Sequence, residues 1–483
     1  MRRTIPLTLA ALAALSAGAA PAAEVSQRTA GEIERSLTRY LPPELARAGL
    51  LTVQAATTFY ELRVDPAVLA AKARAGGLAV EGLKPVTAYL RPAQDGTYRV
   101  EAATDLDLKG SFGAGAGKGS FSYLVEAMKL DGIYDPEILY FRAADWTAKG
   151  LAFESRSPQQ SVEARFGESA MRVAAETTGA GLLDISGTGV LKAFTETVTG
   201  GEQGRVEISA DVVDVDVGLD GARYQVFRDL VFFVLDNMQK KTLEPAEAAR
   251  FKALLRAALP VFDNLTETIT ASNVTVGTAQ GTFGARSVRY DIAMNGIAHA
   301  TRVGFGFDID GPRPPAGLLP AAFEGVVPER ATFRAAVTDL DLAGAMTYLL
   351  DRTDFSRPLT DEESREAGRI VLPTGTMNVA FEDVSAVSAI YDVRLTGRMR
   401  VQPGKKDGHS ADVTITARDF DKTVAYLQQN AAAVPQFGQA AFMLLMVKGF
   451  AKDLGNGTQS WDIAVGEDGK VLINGRPLPF QPQ

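Results

Sequence analysis

Residues 331–350, ATFRAAVTDLDLAGAMTYLL, carry three kinds of local signal in a row. They begin as a strand and pass through a turn bearing the short carboxylates Asp339 and Asp341. They end in the apolar spacing of an amphipathic helix. Parts of this unit recur. TYRVEAATDLDLKG at 97–110 repeats the strand and turn, and DFDKTVAYL at 419–427 repeats the turn and helix of DLAGAMTYL at 341–349. Internal duplication explains the shared TDLDL word, and so does chance word-sharing in a valine- and leucine-rich chain.

Around this unit the order is strands, helix pair, strands, linker, strands, helix pair, strands. That order reads as α+β: long antiparallel sheets packed on helical pairs, with two related halves if the duplication is real. The first half is expected over 23–310 and the second over 326–483. The proline-rich segment at 311–325, opening GPRPPAGLLP, is the expected linker. A helix is expected at 32–45 and a strand at 51–64. Mostly β-structure follows from 87 to about 223, with hairpin turns at Asp95-Gly96 and Asp131-Gly132. In 206–217 the alternation changes phase: Val206, Ile208, Ala210 and Val212 share one face, then Val213, Val215 and Val217 do. One extra residue at Val212-Val213 produces this, the mark of a β-bulge.

Two segments, 224–238 (YQVFRDLVFFVLDNM) and 437–450 (FGQAAFMLLMVKGF), are apolar nearly all round. Helices of that kind are expected to be buried. Their simplest role is core. Methionine and phenylalanine can also line an adaptable pocket for acyl chains. Phe232, Phe233, Leu235, Met443 and Met446 are therefore the candidate apolar-ligand contacts.

Residues 1–22 read as a secretory signal. Arg2 and Arg3 are followed by an apolar run at 7–17, too short to span a bilayer, and by Ala20-Pro21-Ala22, which suits cleavage after Ala22. An uncleaved anchor is the alternative. Cleavage leaves 48 basic and 58 acidic residues, a charge near −10, with no basic stripe, so nucleic acid is not an expected partner. No later run is long and apolar enough for a spanning helix. The absence of cysteine removes disulfides, thiolate catalysis and cysteine metal sites, and suits a periplasm.

Catalytic signals are sparse. GAGAGKGS at 113–120 has Phe112 where a phosphate loop needs its first glycine, and Gly119 where it needs Ser or Thr, so it reads as a hairpin loop. His299 and His409 stand apart with no ligand spacing. The aspartate pairs Asp105/Asp107, Asp339/Asp341 and Asp419/Asp421 fit turns and helix starts better than calcium or acid–base sites. No catalytic, metal or cofactor residue is assigned.

The closing segment, WDIAVGEDGKVLINGRPLPF at 461–480, resembles the end of the YdgA-type family of exported bacterial proteins of unknown function. Asn474-Gly475-Arg476-Pro477-Leu478 matches that family's final hairpin. The resemblance implies an envelope location and no catalytic residues. The expectation is a non-enzymatic periplasmic protein that binds a lipid or another apolar partner. A structural or protein-interaction module of the envelope is the alternative, and a carboxylate-based hydrolase a third reading.

Overall fold

Strand outweighs helix, 52% to 23%, so the chain is mostly β rather than an even α+β mixture. The computed structural model describes residues 25–477, apart from 39–40, 42, 71–76, 114–116, 180, 202–203, 238–239, 241, 354–358 and 406–407. The signal reading at 1–22 lies outside them. Two compact units emerge. One is built from 1–241 with 253–258 and 277–279, the other from 242–252, 259–276 and 280–483. The division thus falls before the proline-rich segment, which belongs to the second unit. Arg313 and Gly284 exchange backbone hydrogen bonds of 2.7 and 2.8 Å there, so 311–325 is tied to a strand rather than free as a linker.

In the first unit an antiparallel meander runs β1 (Leu51–Ala55), β2 (Tyr60–Val64), β4 (Val86–Pro92), β5 (Tyr98–Phe112), β6 (Gly119–Asp135), β7 (Tyr140–Arg156), β8 (Gln160–Thr178), β9 (Leu182–Gly200) and β10 (Arg205–Ala222). A short β3 (Ala79–Glu81) joins β5. The single strand expected at 51–64 is a hairpin, because 56–59 turn and Leu51 pairs with Val64. Helix α1 (Gln27–Thr38) buries Ala30, Ile33 and Leu37 against Leu51, Leu62, Leu90, Val100 and Tyr134. Its polar side also protects an edge. The β1 amides of Val53 and Ala55 donate to Glu34 Oε2 (2.7 Å) and Gln27 Oε1 (3.2 Å), so they offer nothing to a stray strand.

Strands β5–β10 run 15 to 19 residues, roughly 50–60 Å at 3.3 Å per residue. Their alternation does not survive that length unbroken. On β6 the apolar set is Phe121, Tyr123, Val125, then Met128, Leu130 and Tyr134. On β8 it is Val162, Ala164, Phe166, then Met171 and Val173. On β10 it is Val206, Ile208, Ala210, then Val213 and Val215. The ladders show why. Pairs Val125↔Leu151 and Ala127↔Lys149 bracket an unpaired Glu126/Gly150. Leu151↔Phe166 and Lys149↔Glu168 bracket Gly150/Gly167, and Arg165↔Thr195 and Glu168↔Lys192 bracket Gly167/Ala193. Ala210↔Phe194 and Val212↔Lys192 bracket Ala193/Asp211.

One extra residue therefore sits in each of five neighbouring strands, aligned in a row. Shifts at Ile133/Tyr134 and Leu219/Ala222 lie away from the row. Across it, register between these strands is unbroken because all carry the extra residue. Against β5, which does not, it slips by one: Thr104 pairs with Met128 and Leu106 with Val125. The bulge expected at Val212-Val213 exists, but it is centred on Asp211 and is one of a row. Gly150 and Ala193 hold left-handed φ of 61° and 54°.

In the second unit β12 (Gly281–Met294), β13 (Thr301–Asp310), β14 (Arg330–Leu340), β15 (Met377–Val387), β16 (Asp392–Val401), β17 (His409–Arg418) and β19 (Thr458–Val465) pair in that order. β18 (Lys452–Gly455) and β20 (Val471–Ile473) lie along the far side of β19. A turn at 388–391 separates β15 from β16. A bulge at Glu382 on β15 shifts its register against both neighbours. Tight turns form at Asp468-Gly469 and Asn474-Gly475. Of the two hairpin turns expected earlier in the chain, one forms. Asp95-Gly96 turns, but Asp131-Gly132 lies inside β6, opposite Glu101 and Val100. There a side chain on Gly132 would meet Ala143 O at 2.8 Å and Ala144 Cβ at 2.9 Å, so its glycine serves close packing.

Left-handed backbone disfavours any side chain by about 1–2 kcal/mol, whereas glycine adopts it freely. Ala193→Gly should therefore leave stability unchanged or raise it by up to about 1 kcal/mol. Ala193→Val should lower it by about 1–3 kcal/mol, since β-branched residues tolerate positive φ worst. Urea unfolding curves of the two variants check this. A Gly variant less stable than the Val variant would contradict the bulge row.

Candidate functional site

The bulge row keeps each set of apolar side chains on one face. In the first unit the rows Leu106–Val125–Leu151–Phe166 and Leu108–Tyr123–Phe153–Ala164 run across four strands. The opposite face is charged: Arg99–Asp131 (2.8 Å), Arg172–Asp145 (2.8 Å) and the bridge from Glu168 to both Lys149 and Lys192. The second unit divides the same way. Tyr290, Phe307, Phe333 and Val384 are successive ladder partners on one face, with Ile292, Phe305, Ala335 and Phe381 beside them. On the other face Arg334 pairs with Asp308, Arg394 with Asp383, Arg418 with Asp392, and Arg302 with Glu382.

The closing helical hairpin covers one end of the apolar face of the second unit. There the helices Phe420–Gln429 and Pro435–Lys448 press Phe420, Val424, Leu427, Phe437 and Ala441 onto Ala417, Trp461 and Ile473. The indole N–H of Trp461 donates to Val447 O at 2.9 Å, pinning the second helix. At the other end Phe305, Phe307 and Phe333 stay 41, 39 and 39% exposed. Tyr290 and Phe305 meet edge to face at 5.1 Å, and Phe305 and Phe333 lie 6.3 Å apart. This open aromatic face is the strongest candidate site.

The two apolar helices are not buried as expected. The one spanning Tyr224–Asn237 buries only Phe233, while Phe227, Val231 and Val234 (positions i, i+4, i+7) are 39–47% exposed. The one spanning Pro435–Lys448 buries Phe437 and Ala441 and exposes Phe442 (62%), Met443 (55%), Leu445 (45%) and Met446 (40%). Each meets its unit along one side only, so a sequence apolar all round leaves an apolar stripe in water. Of the candidate contacts, Phe232 and Leu235 are half-buried, Phe233 is buried, and Met443 and Met446 are exposed. Phe232, Phe233 and Leu235 belong to the first unit, Met443 and Met446 to the second. The aromatic face was missed because Phe305, Phe307 and Phe333 stand singly in their strands. The shared two-residue spacing in 303–309 and 331–337 was the available signal.

Two cavities carry charged side chains on their walls. One of about 360 Å³ is lined by Gly397, Arg398, Arg400, Ser410 and Asp412. One of about 630 Å³ lies along the proline-rich segment, with Arg286, Arg313, Glu324 and Glu329 on its walls. His299 meets Asp341, Nδ1 to Oδ1 at 2.8 Å, but Asp341 is engaged as a helix cap, accepting from Gly344 N at 2.7 Å. His409 is exposed at the start of β17. No group of three or more His, Asp or Glu poised for a metal occurs among the described residues.

The aspartate pairs part company. Asp341 caps its helix and Asp339 holds φ 63°. Asp419 holds φ 59° but caps nothing with its side chain. Asp105 and Asp107 lie within β5, with Asp105 ion-paired to Lys84. The shared TDLDL word therefore folds two ways, and the strand-and-turn unit expected at 97–110 is strand throughout. The chain matches no family model, no curated protein and no solved structure.

Several carboxyls lie below their ordinary range: Asp462 beside Lys452 and the Thr414 hydroxyl, Glu168 beside Lys149 and Lys192, and Asp105 beside Lys84. A lowered folded value adds stability above the unfolded value, and that stability is lost as pH falls through the folded one. The melting temperature should thus drop on acidification below about pH 4. Asp462→Asn should flatten part of that drop and leave the neutral-pH melting temperature within a few degrees. Melting curves from pH 2 to 7 check it; a variant with the full wild-type acid slope would count against this account.

Proposed function

We propose that the protein is a non-enzymatic component of the bacterial envelope, exported to the periplasm, that binds a lipid or similar apolar ligand against its open sheet faces. The observation that carries this reading is the half-exposed ring cluster Phe305, Phe307 and Phe333 on a face that is otherwise continuous and apolar. Soluble monomers rarely expose contiguous apolar patches beyond a few hundred Å², and those that do use them to bind. Acyl chains suit an extended apolar face, because they need contact area and no converging polar groups. The signal-like residues 1–22, the lack of cysteine and the resemblance of 461–480 to the YdgA-type family support the location.

A structural or interaction module is the second reading, favoured by the exposed stripe of Phe442, Met443, Leu445 and Met446. A carboxylate-based hydrolase draws no support from titration. The carboxyls with resolved shifts, Asp95, Asp105, Glu168, Asp462 and Asp468, are all lowered by a donor or cation beside them, the opposite of a poised general acid.

Protein isolated under native conditions from its source cell should carry co-purifying lipid by mass spectrometry. The double variant Phe305→Asp/Phe333→Asp should bind a fluorescent fatty-acyl probe roughly tenfold or more weakly, since each buried ring is worth about 2 kcal/mol. Phe442→Ser/Met443→Ser should leave that affinity intact. No lipid, with equal probe binding by wild type and the double Asp variant, would defeat the lipid reading. Loss of probe binding in the helix variant alone would move the site to Phe442 and Met443.

A further inference from the structure

On the charged face of the second unit, the arginines of β12–β17 are nearly all neutralised. Arg286 and Arg330 meet Asp310, Arg289 meets Asp291, and Arg302, Arg334, Arg394 and Arg418 meet Glu382, Asp308, Asp383 and Asp392. Arg398 and Arg400 on β16 are the exception. Neither has an ion pair or side-chain hydrogen bond among the described residues. The contrast is not for want of an acid. Asp412 is the direct ladder partner of Arg398, yet no ion pair forms between them.

Two arginines two positions apart share one face of a strand, roughly 7 Å apart along it. The same cavity holds the Ser410 side chain, since Ser410 is the ladder partner of Arg400. Gly397 completes the floor. A side chain there would strike Asp412 O at 2.3 Å and the Val413 Cα at 2.5 Å, at φ 148°. The result is an open cavity of about 360 Å³ with two unspent guanidinium forks, one hydroxyl and one carboxylate at its wall.

We propose that Arg398, Arg400 and Ser410 form a binding site for a phosphate group. Guanidinium forks match tetrahedral oxyanions in a bidentate way, and a serine hydroxyl donates to a third oxygen. The Asp412 carboxylate sits beside that anion and disfavours a fully naked polyanion, which leaves a single phosphate ester as the fitting size and charge. The site lies on the face opposite Phe305 and Phe333, so it is independent of the apolar-ligand reading. A free phosphorylated metabolite and a phospholipid headgroup share this chemistry.

Titration calorimetry at low salt, using inorganic phosphate and glycerol phosphate, tests the first source. Flotation with vesicles of phosphatidylglycerol in phosphatidylcholine, against phosphatidylcholine alone, tests the second. Binding in either arm should weaken roughly tenfold per arginine in Arg398→Gln and Arg400→Gln. It should survive Arg394→Gln, which breaks an existing pair. Arg400→Lys keeps the charge but not the fork and should lose part of the affinity, guarding against a misfolded glutamine variant. Arginine-dependent binding of the small phosphates assigns a soluble ligand; arginine-dependent binding of the anionic vesicles alone assigns a headgroup. No binding in either arm, or binding equal in wild type and Arg398→Gln/Arg400→Gln, overturns the proposal.

Discussion

A strand must keep its apolar residues on one face, and a twisted strand of 15–19 residues has to be adjusted along the way to do so. The row Glu126, Gly150, Gly167, Ala193 and Asp211 makes that adjustment in five strands at once. A lone bulge would slip register against both neighbours and turn half of one strand's apolar set toward water. Aligned bulges leave the mutual registers intact across the row and put the slip that they cause at the boundary with β5. Bulges also increase local twist and bend the strand that carries them. Five in line bend the strands together, so the apolar face stays continuous across the row. The glycines at 150 and 167 fit this position, since an added Cβ at Gly150 would collide with the Glu126 side chain at 2.2–2.5 Å.

The charged faces have a different job. Most of their ion pairs join well-exposed partners, such as Arg172–Asp145 and Lys149–Glu168, and each adds little to stability. Their value lies in what they prevent. A long flat sheet with two apolar faces would stack on another copy, whereas a face of paired charges stays wet. The core is correspondingly modest and local. One cluster sits under α1, another under the closing helical hairpin, and a third joins Ile138, Ala175, Leu183 and Ala222. Elsewhere the strands hold one another through their ladders, and most of their side chains are half-buried or exposed rather than enclosed.

Period-two alternation, glycine turns and capping chemistry made much of this legible in the sequence. The Asp95-Gly96 turn, the Asp341 helix cap and the strand through 206–217 follow from local rules and stand where those rules put them. The phase change near Val212 was legible too, but its meaning was not. Alignment of five bulges is a relation between strands, and no single strand encodes its register with the next. The Asp131-Gly132 pair shows the same limit, since a turn signal and a close-packed strand glycine look alike locally. The two copies of TDLDL sharpen it: at 104–108 the backbone stays extended under pairing from both sides, and at 338–342 it turns left-handed at Asp339 into a helix.

The apolar helices carry the same lesson into function. Uniform hydrophobicity predicts burial only where there is enough protein to bury against. The Pro435–Lys448 helix has one sheet edge and one partner helix beneath it, and these accommodate Phe437, Ala441 and the half-buried Leu444 and Val447. Its remaining side chains face outward because the unit ends there. Leaving Phe442, Met443, Leu445 and Met446 in water forgoes the roughly 25 cal/mol per Å² that burial would return. Polar residues at those four positions would cost the fold little, because none of the four belongs to the cluster beneath and each is 40–62% exposed. Their apolar character is therefore not explained by folding. The same holds for Phe305, Phe307 and Phe333, whose rings support one another but close over nothing. Under the proposed function, an apolar ligand or partner is what covers them.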